Sequence, residues 1–355
     1  MKIAVGMSGG VDSAVTAALL KKAGHEVIGL YLRLYKDDEN DEARWLDKSC
    51  CKIGLARHVT RQLGIELRIV DAQELFRENV INYFKEEYLQ GKTPNPCVRC
   101  NEKIKFGVLV EEARKIGAEK LATGHYAKTS MDPVTGRWKL TRPADRTKDQ
   151  TYFLYRMTQN QLAFVEFPLS GFIKSDIYKL AEGLDFPYED VLESQEVCFV
   201  NQGDYRDFLK GEDGNRIFPG DFISSEGKRL GDHQGFPNYT VGQRKGLGIA
   251  LGKRQFVLEI RPESNEVVIG EESKLYKTDF QTGNLNWISF PRLEKEIPAT
   301  VKFRYKTPEV RGILAPVGSD QARFTFFNPQ KGIAPGQSAV FYNDKDEVLG
   351  GGTIL

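Results

Sequence analysis

The stretch Lys2-Ile3-Ala4-Val5-Gly6-Met7-Ser8-Gly9-Gly10-Val11-Asp12-Ser13 decides how the first third of the chain is read. Ile3–Met7 is an apolar run of strand length, and Val11–Ala23 carries helical periodicity, so Ser8, Gly9 and Gly10 fall at a strand–helix junction. Small residues there let a phosphate approach the backbone closely, at the positive end of the helix dipole. Backbone N–H groups and serine hydroxyls then hold the anion. The loop lacks the Gly-Lys-Ser/Thr ending of a Walker loop, so it is not built to expose a terminal phosphoryl group. It suits pyrophosphate instead. Gripping the outer phosphates of ATP leaves the α-phosphorus open to a nucleophile, giving an adenylated substrate and pyrophosphate, while Asp12 helps to hold Mg²⁺. The plainer reading is a glycine-serine turn of the kind that any strand–helix unit uses.

Working outward, Gly24 stops the first helix and Val27–Leu32 is a second buried strand, followed by the charged loop Lys36–Lys48. Cys51–Leu63 reads as the next helix, closed by Gly64, and Leu67–Val70 as a third strand. Glu74–Leu89, Phe106–Ile116 and Leu121–Thr123 continue the alternation, which predicts an open sheet of parallel strands joined by right-handed helical crossovers. After about residue 200 the period changes to two. Phe256–Arg261 and Glu266–Ile269 form a hairpin around Pro262-Glu263-Ser264-Asn265, and Ala299–Tyr305, Val310–Leu314, Arg323–Phe327, Ala339–Tyr342 and Glu347–Leu349 form a small barrel or sandwich. The expected class is α/β, with a catalytic domain at 1–204, a small, mostly β domain at 205–285 and a C-terminal β-barrel at 286–355. There is no internal repeat and no low-complexity tract.

The 355 residues exceed the roughly 100–200 of one ordinary domain. With 40% hydrophobic and 28% charged residues and no apolar run of membrane-spanning length, the composition is that of a globular protein without a membrane partner. The N-terminus runs straight into a strand and carries no secretory pattern, so a cytoplasmic location is expected. A net charge of +1 means that any nucleic-acid surface is a local patch.

Five cysteines are too few and too unevenly spaced for a disulfide-stapled secreted fold of this length. Cys97-Val98-Arg99-Cys100 follows Thr93-Pro94-Asn95-Pro96, whose prolines disfavour helix and place the pair on a constrained loop. Arg99, Lys103 and Lys105 make a positive setting that favours thiolate. Cys198, in Ser194-Gln195-Glu196-Val197-Cys198-Phe199, is expected to close over the same pocket. Three readings stand: buried structural cysteines, thiols that carry and release sulfur, or three thiolates holding an iron–sulfur cluster with an open iron. Cys50-Cys51 reads as a packed pair. Of the four histidines only His125 has context, in Thr123-Gly124-His125-Tyr126-Ala127 at a strand's carboxyl end.

Ser8–Ser13 at the first strand–helix junction resembles the loop of the PP-loop ATP pyrophosphatases, an adenine nucleotide α-hydrolase-like fold. Together with the thiols, Gly91–Phe106, Ala122–Ala127, Lys148–Leu154, Ser194–Val200, Tyr239–Ile249 and Ile333–Gly352 make nearly the whole chain similar to the bacterial tRNA-specific 2-thiouridylases, tRNA-uridine 2-sulfurtransferases that act on the wobble uridine. By that resemblance Gly6, Met7, Ser8, Gly9, Gly10, Val11, Asp12 and Ser13, with Leu32 and Gly124, bind ATP. Cys100 is the nucleophile and Cys198 carries persulfide sulfur from a sulfur donor or relay protein. Adenylation makes the uridine C2 oxygen a leaving group, the persulfide attacks C2, and Cys100 frees the sulfur by forming a disulfide with Cys198. The resemblance also implies that Asn95, Pro96 and Cys97 meet the target base and that Lys148, Asp149, Gln150, Arg304 and Tyr305 touch tRNA, with His125 and Gln337 lining the RNA surface. Many members of the family carry aspartate where this chain has Cys97. That third thiolate opens the alternative of a [4Fe–4S] cluster on Cys97, Cys100 and Cys198 in place of the persulfide relay.

Gln243-Arg244-Lys245-Gly246-Leu247-Gly248 and Lys302-Phe303-Arg304-Tyr305-Lys306 interleave positive charge with glycine or aromatics, as phosphate contact and base stacking require. A solvated strand face has the same look. Two rivals remain: a PP-loop synthetase that adenylates a small carbonyl compound and needs no reactive cysteine, and a non-enzymatic RNA-binding iron–sulfur carrier.

Overall fold

The computed structural model describes residues 1–34, 53–184, 197–200, 204–249 and 254–355. The charged loop Lys36–Lys48, the pair Cys50-Cys51 and Ser194–Glu196 lie outside the described residues. Strands β1 (Lys2–Gly6), β2 (Glu26–Arg33), β3 (Glu66–Asp71) and β4 (Lys120–Thr123) form a parallel sheet in the order β3-β2-β1-β4, extended by Val165–Glu166 beside β4. β1 reads half-buried only at its ends and β2 is buried at six consecutive positions, as expected for strands covered on both faces. Helices α1 (Val11–Lys22) and α2 (Ile53–Leu63) join these strands, and one apolar cluster puts Val5, Val15, Ala17 and Val59 together on one side of the sheet.

On the other side Ala4, Ile28 and Leu30 pack against Phe76, Val80, Phe84, Ile104 and Leu109. Those residues come from two long helical runs. Gln73–Leu89 is helical throughout, with a π-helical stretch at Arg77–Asn82. Pro96–Lys115 is likewise helical throughout, with π geometry over Asn101–Val108. The helix expected at Phe106–Ile116 therefore starts ten residues earlier, at the cysteine motif.

Residues Gly220–Ser224, Arg229–His233, Phe256–Arg261 and Glu266–Gly270 make a second, four-stranded sheet around Phe222, Val257, Val267 and Ile269. The expected hairpin is present, and its second strand pairs in parallel with Gly220–Ser224. The C-terminal strands close into a six-stranded barrel. Its first strand, Tyr276–Trp287, runs across the expected junction at 285/286 and bonds both Gln321–Lys331 and Val348–Ile354. Phe280, Phe324, Phe326 and Phe341 fill the interior. Among the described residues no helix is long and apolar enough to cross a membrane.

The barrel grips the catalytic region at two places. Thr151 and Tyr342 share a hydroxyl contact of 3.1 Å, Tyr152 donates to the Ser338 carbonyl at 3.0 Å, and the Arg142 guanidinium lies 4.0 Å from the centre of the Tyr342 ring. Just before the cysteine helix, the Thr93 N–H donates to the Pro335 carbonyl at 2.8 Å. Gly336 sits against that segment with φ +89°, and an added Cβ would stand 2.9 Å from Thr93 N and Lys92 Cβ. Gly336→Ala is expected to cost about 1–3 kcal/mol locally, from a left-handed backbone and a backbone clash together. Faster proteolysis at 91–95 and a lowered unfolding midpoint would check this; wild-type behaviour in both would contradict it.

Candidate active site

The phosphate loop is shaped by its own hydroxyls. Ser8 Oγ accepts the Gly10 N–H at 3.3 Å, while Ser13 Oγ accepts the Ser8 N–H at 3.3 Å and donates to the Gly10 carbonyl at 2.8 Å. Gly9 takes φ +79°, a conformation that suits glycine. Gly10 caps α1 and no side chain satisfies the first turn, so the N–H groups there face an anion site at the positive end of a 12-residue helix. Gly124, just beyond β4, lies so close that a Cβ would stand 2.8–2.9 Å from the Asp12 and Ser13 backbone. Gly6–Ser13, Leu32 near the end of β2 and Gly124 thus gather at the carboxyl edge of the sheet, where ligands of open α/β sheets bind.

Sequence reasoning missed Lys174 and Tyr126. Lys174 Nζ bonds both Asp12 oxygens, at 2.7 and 2.8 Å, and the Tyr126 hydroxyl donates to Asp12 Oδ1 at 2.7 Å. Lys174 is 8% exposed and its ammonium also lies over the Tyr126 and Tyr178 rings. It sits in the first turn of the helix Lys174–Glu182, 162 residues from Asp12, so nothing local in the sequence marks it.

The cysteine motif departs from expectation in one respect: Cys97 and Cys100 sit in a helix, Pro96–Cys100, not on a loop. Asn95 is the N-cap, its Oδ1 accepting the Val98 N–H at 3.2 Å, and Pro96 occupies the first helical position, where a missing N–H costs nothing. Cys100 is buried and Cys97 half-buried. Cys198 lies on a turn closed by the Val200 N–H to the Val197 carbonyl, and Phe199 pins that turn edge-on against Phe76 and Phe84.

Cys97 feels the charge of Cys198, and Cys100 that of both Cys198 and Cys97, but the setting does not favour thiolate. Burial pushes Cys97 up to about 11, helped by Cys198 and opposed by Lys105. It pushes Cys100 up to about 12, opposed by Lys105 and helped by Cys198 and Cys97. The other expected cations are engaged elsewhere: Arg99 and Lys103 reach Glu102 at 3.1 and 3.2 Å. Lys105 also acts on His125, whose imidazole is held neutral mainly by burial. A run of neighbours therefore joins the two halves of the site: Asp12 and Ser13 touch Gly124, His125 follows, and His125 and both helix thiols share Lys105.

The residues expected to meet RNA divide into surface and scaffold. Lys148, Gln150 and Tyr305 are half-buried, and Tyr305 packs on Phe153 with ring centres 4.4 Å apart. Asp149 is 5% exposed, with Oδ1 accepting the Thr151 N–H and hydroxyl, so its carboxylate builds the turn. Gln150 Oε1 accepts the Tyr126 N–H at 2.8 Å, and His125 Nδ1 lies 2.9 Å from Thr123 Oγ1. Arg304 donates to the Val241 carbonyl at 3.0 Å, and Gln337 Nε2 to the Thr93 carbonyl at 2.9 Å. Arg244 and Lys245 are exposed.

Residues 1–202 match a family model described as the tRNA methyl transferase HUP domain, 206–271 its PRC-barrel domain, and 277–354 an aminomethyltransferase β-barrel domain. The chain is 44% identical to the tRNA-specific 2-thiouridylase MnmA of Carboxydothermus hydrogenoformans over 99% of its own length and 97% of the relative's. Identity is 45%, with the same coverages, to the tRNA-specific 2-thiouridylases MnmA 1 of Caldanaerobacter subterraneus and MnmA 2 of Thermoanaerobacter sp.. The chain belongs to the tRNA-specific 2-thiouridylase family. The methyl transferase wording of the family model and the thiouridylase naming of these relatives differ, and three thiols beside an ATP loop agree with the second.

Two inorganic groups can be tested against this 2-thiouridylase site. Of the four lone-pair positions on the Asp12 carboxylate, Lys174 and Tyr126 take three, leaving one on Oδ2. One carboxylate oxygen suffices for Mg²⁺ that draws its other ligands from phosphates and water, so the ion fits. A cluster fits less well. Among the described residues no group of three His, Cys, Asp or Glu side chains is placed to hold a metal, and the three thiols as they stand do not make a ligand set.

Gly124→Ala should raise the KM for ATP at least tenfold with the fold intact by circular dichroism; an unchanged KM would refute the close approach at Asp12. The thiols give a pH test. Because burial raises them, both are protonated at neutral pH, and iodoacetamide labelling of Cys97 in the free protein should climb about tenfold per pH unit from 7 towards 11. A plateau below pH 9 in peptide mass spectra would contradict it.

Proposed function

We propose that the chain carries out ATP-dependent 2-thiolation of the wobble uridine of tRNA, with persulfide sulfur delivered through Cys198 and released with the help of Cys100. The observation that carries this is the convergence, at one end of the parallel sheet, of a pyrophosphate-type loop with an uncapped helix N-terminus and a group of three thiols, in a chain of the 2-thiouridylase family. The amides of Ser8–Ser13 hold the outer phosphates of ATP and leave the α-phosphorus open to the uridine, and Asp12 would hold a Mg²⁺ ion that would supply charge neutralisation at the phosphates. The C2 oxygen attacks it and pyrophosphate leaves. Terminal persulfide sulfur on Cys198 attacks C2; Cys100 then attacks the Cys198 sulfur, the bond to the transferred sulfur breaks, AMP departs with the former C2 oxygen, and 2-thiouridine remains.

In this reading residues 1–204 do the chemistry and 205–285 and 286–355 position the RNA, through Lys148, Gln150, Arg304, Tyr305 and the Arg244-Lys245 loop. Asn95, Pro96 and Cys97 face the target base, with His125 and Gln337 bounding the RNA surface. A neutral His125 contributes hydrogen bonds there, not charge. The sulfur donor is a persulfide-carrying protein, and the reaction takes place in the cytoplasm. No step is routed through a [4Fe–4S] cluster, since the thiols do not present one with a ligand set.

The deciding experiment mixes enzyme, ATP, Mg²⁺, a sulfur source and unmodified tRNA, and measures pyrophosphate and thiolated nucleoside with and without RNA. Pyrophosphate release should require RNA. Cys100→Ala and Cys198→Ala should lose at least a hundredfold in thiolated product while binding ATP like the wild type. RNA-independent pyrophosphate release onto a small carbonyl acceptor, or full activity in either variant, would sink the proposal, and stoichiometric iron in anaerobically purified enzyme would replace the relay with a cluster.

A further inference from the structure

The relay leaves Cys97 without a chemical part, although it stands in the same thiol group as Cys100 and Cys198. Three residues apart on one helical turn, the Cα atoms of Cys97 and Cys100 are about 5 Å from each other by helix geometry. That lies inside the span a disulfide bridges, and Cys-x-x-Cys on a helical turn is the spacing of thiol–disulfide exchange sites. The turn is fixed: Asn95 caps its start and the Asn101 amide donates to the Cys97 carbonyl at 3.0 Å. Exposure differs along it, with Cys100 buried and Cys97 half-buried. Cys198 is half-buried as well, so either disulfide has one end an outside thiol can reach; what a Cys97–Cys100 bond adds is that it leaves Cys198 free as a thiol.

We propose that Cys97 is the resolving thiol of this site, attacking the Cys100 sulfur of the Cys100–Cys198 disulfide that each sulfur transfer leaves behind. The inference rests on the thiol relay proposed above. In this exchange the Cys97 thiol gives up its proton and forms an S–S bond to Cys100. The Cys100–Cys198 bond breaks, and its electron pair leaves on Cys198, which takes up a proton. One disulfide replaces another, so the step needs no oxidant or reductant. Cys198 is again a thiol that can accept persulfide sulfur. A dithiol reductant of the thioredoxin class then reduces Cys97–Cys100 from the half-buried side, taking the disulfide's oxidation onto itself.

Disulfide mapping tests this in the wild-type enzyme. Persulfidated protein is given ATP, Mg²⁺ and unmodified tRNA without reductant, quenched in acid after one turnover, alkylated and mapped by peptide mass spectrometry. A Cys97–Cys100 disulfide with alkylated Cys198 is expected. In Cys97→Ser the disulfide should remain between Cys100 and Cys198, and steady-state thiolation with thioredoxin as reductant should fall at least tenfold. A Cys100–Cys198 disulfide with alkylated Cys97 in the wild type would overturn this inference and leave the relay standing. Thiolated nucleoside formed with all three cysteines alkylated would overturn both. Because the mapping needs no substitution, misfolding of Cys97→Ser does not shield the idea.

Discussion

The hydrogen bond from the Thr93 N–H to the Pro335 carbonyl ties the barrel to the start of the cysteine helix, and the placement of the thiols depends on it. Gln337, 244 residues from Thr93 in sequence, adds a second bond to the Thr93 carbonyl, so both polar groups of that peptide segment are taken by the barrel loop. Immediately downstream Asn95 caps the helix. The first thiol thus follows a backbone held on one side by the barrel and on the other by its own helix, leaving few torsions open between the clasp and Cys97. The Thr151–Tyr155 segment is sutured to the same barrel strand through Tyr152, Tyr155 and Ser338. The β-barrel is here structurally continuous with the segment that carries the thiols.

Charge at the phosphate loop follows a similar logic. A lone carboxylate at Asp12 would repel any anion that the α1 N-terminus attracts. Lys174 removes that conflict: its ammonium bonds both carboxylate oxygens, and the Tyr126 hydroxyl adds a third donor. A neutral pair therefore stands beside the positive helix end, and Asp12 keeps one lone pair unused on Oδ2. Gly124 is the steric condition of this arrangement, because any side chain there would push β4's end away from Asp12.

Much of this was legible in the sequence, and the failures share a cause. The strand–loop–helix at Ile3–Ala23, the parallel alternation, the hairpin at Phe256–Ile269 and most barrel strands were readable because each writes its period locally. The cysteine helix is hidden in the sequence because proline reads as a helix breaker, when Asn-Pro also spells cap and first position. Tyr276–Trp287 is hard to read because its first four residues, Tyr276–Asp279, are exposed and mostly polar, so the alternation shows only from the buried Phe280 and Thr282 onward. Lys174 and the Thr93–Pro335 clasp could not be read at all, since both are contacts across the fold. The positive setting expected around the thiols fails for the same reason: Arg99 and Lys103 lie near Cys100 in sequence, yet both turn to Glu102.

That last correction bears on how the chemistry is controlled. With Lys105 the cation that lowers them and burial outweighing it, Cys97 and Cys100 rest as protonated thiols. Protonated, enclosed thiols are poor nucleophiles and poor targets for adventitious oxidation. Bringing RNA phosphates nearer adds negative charge, which raises such groups further, so the arrival of substrate charge cannot be what activates them. Activation has to come from solvent contact or from an immediate proton acceptor at the moment of attack. Cys198 is half-buried on a turn packed against the core through Val197, Phe199 and Val200, while Cys100 is buried in a continuous helix, so of these two thiols Cys198 is the one that solvent or a proton acceptor reaches more readily.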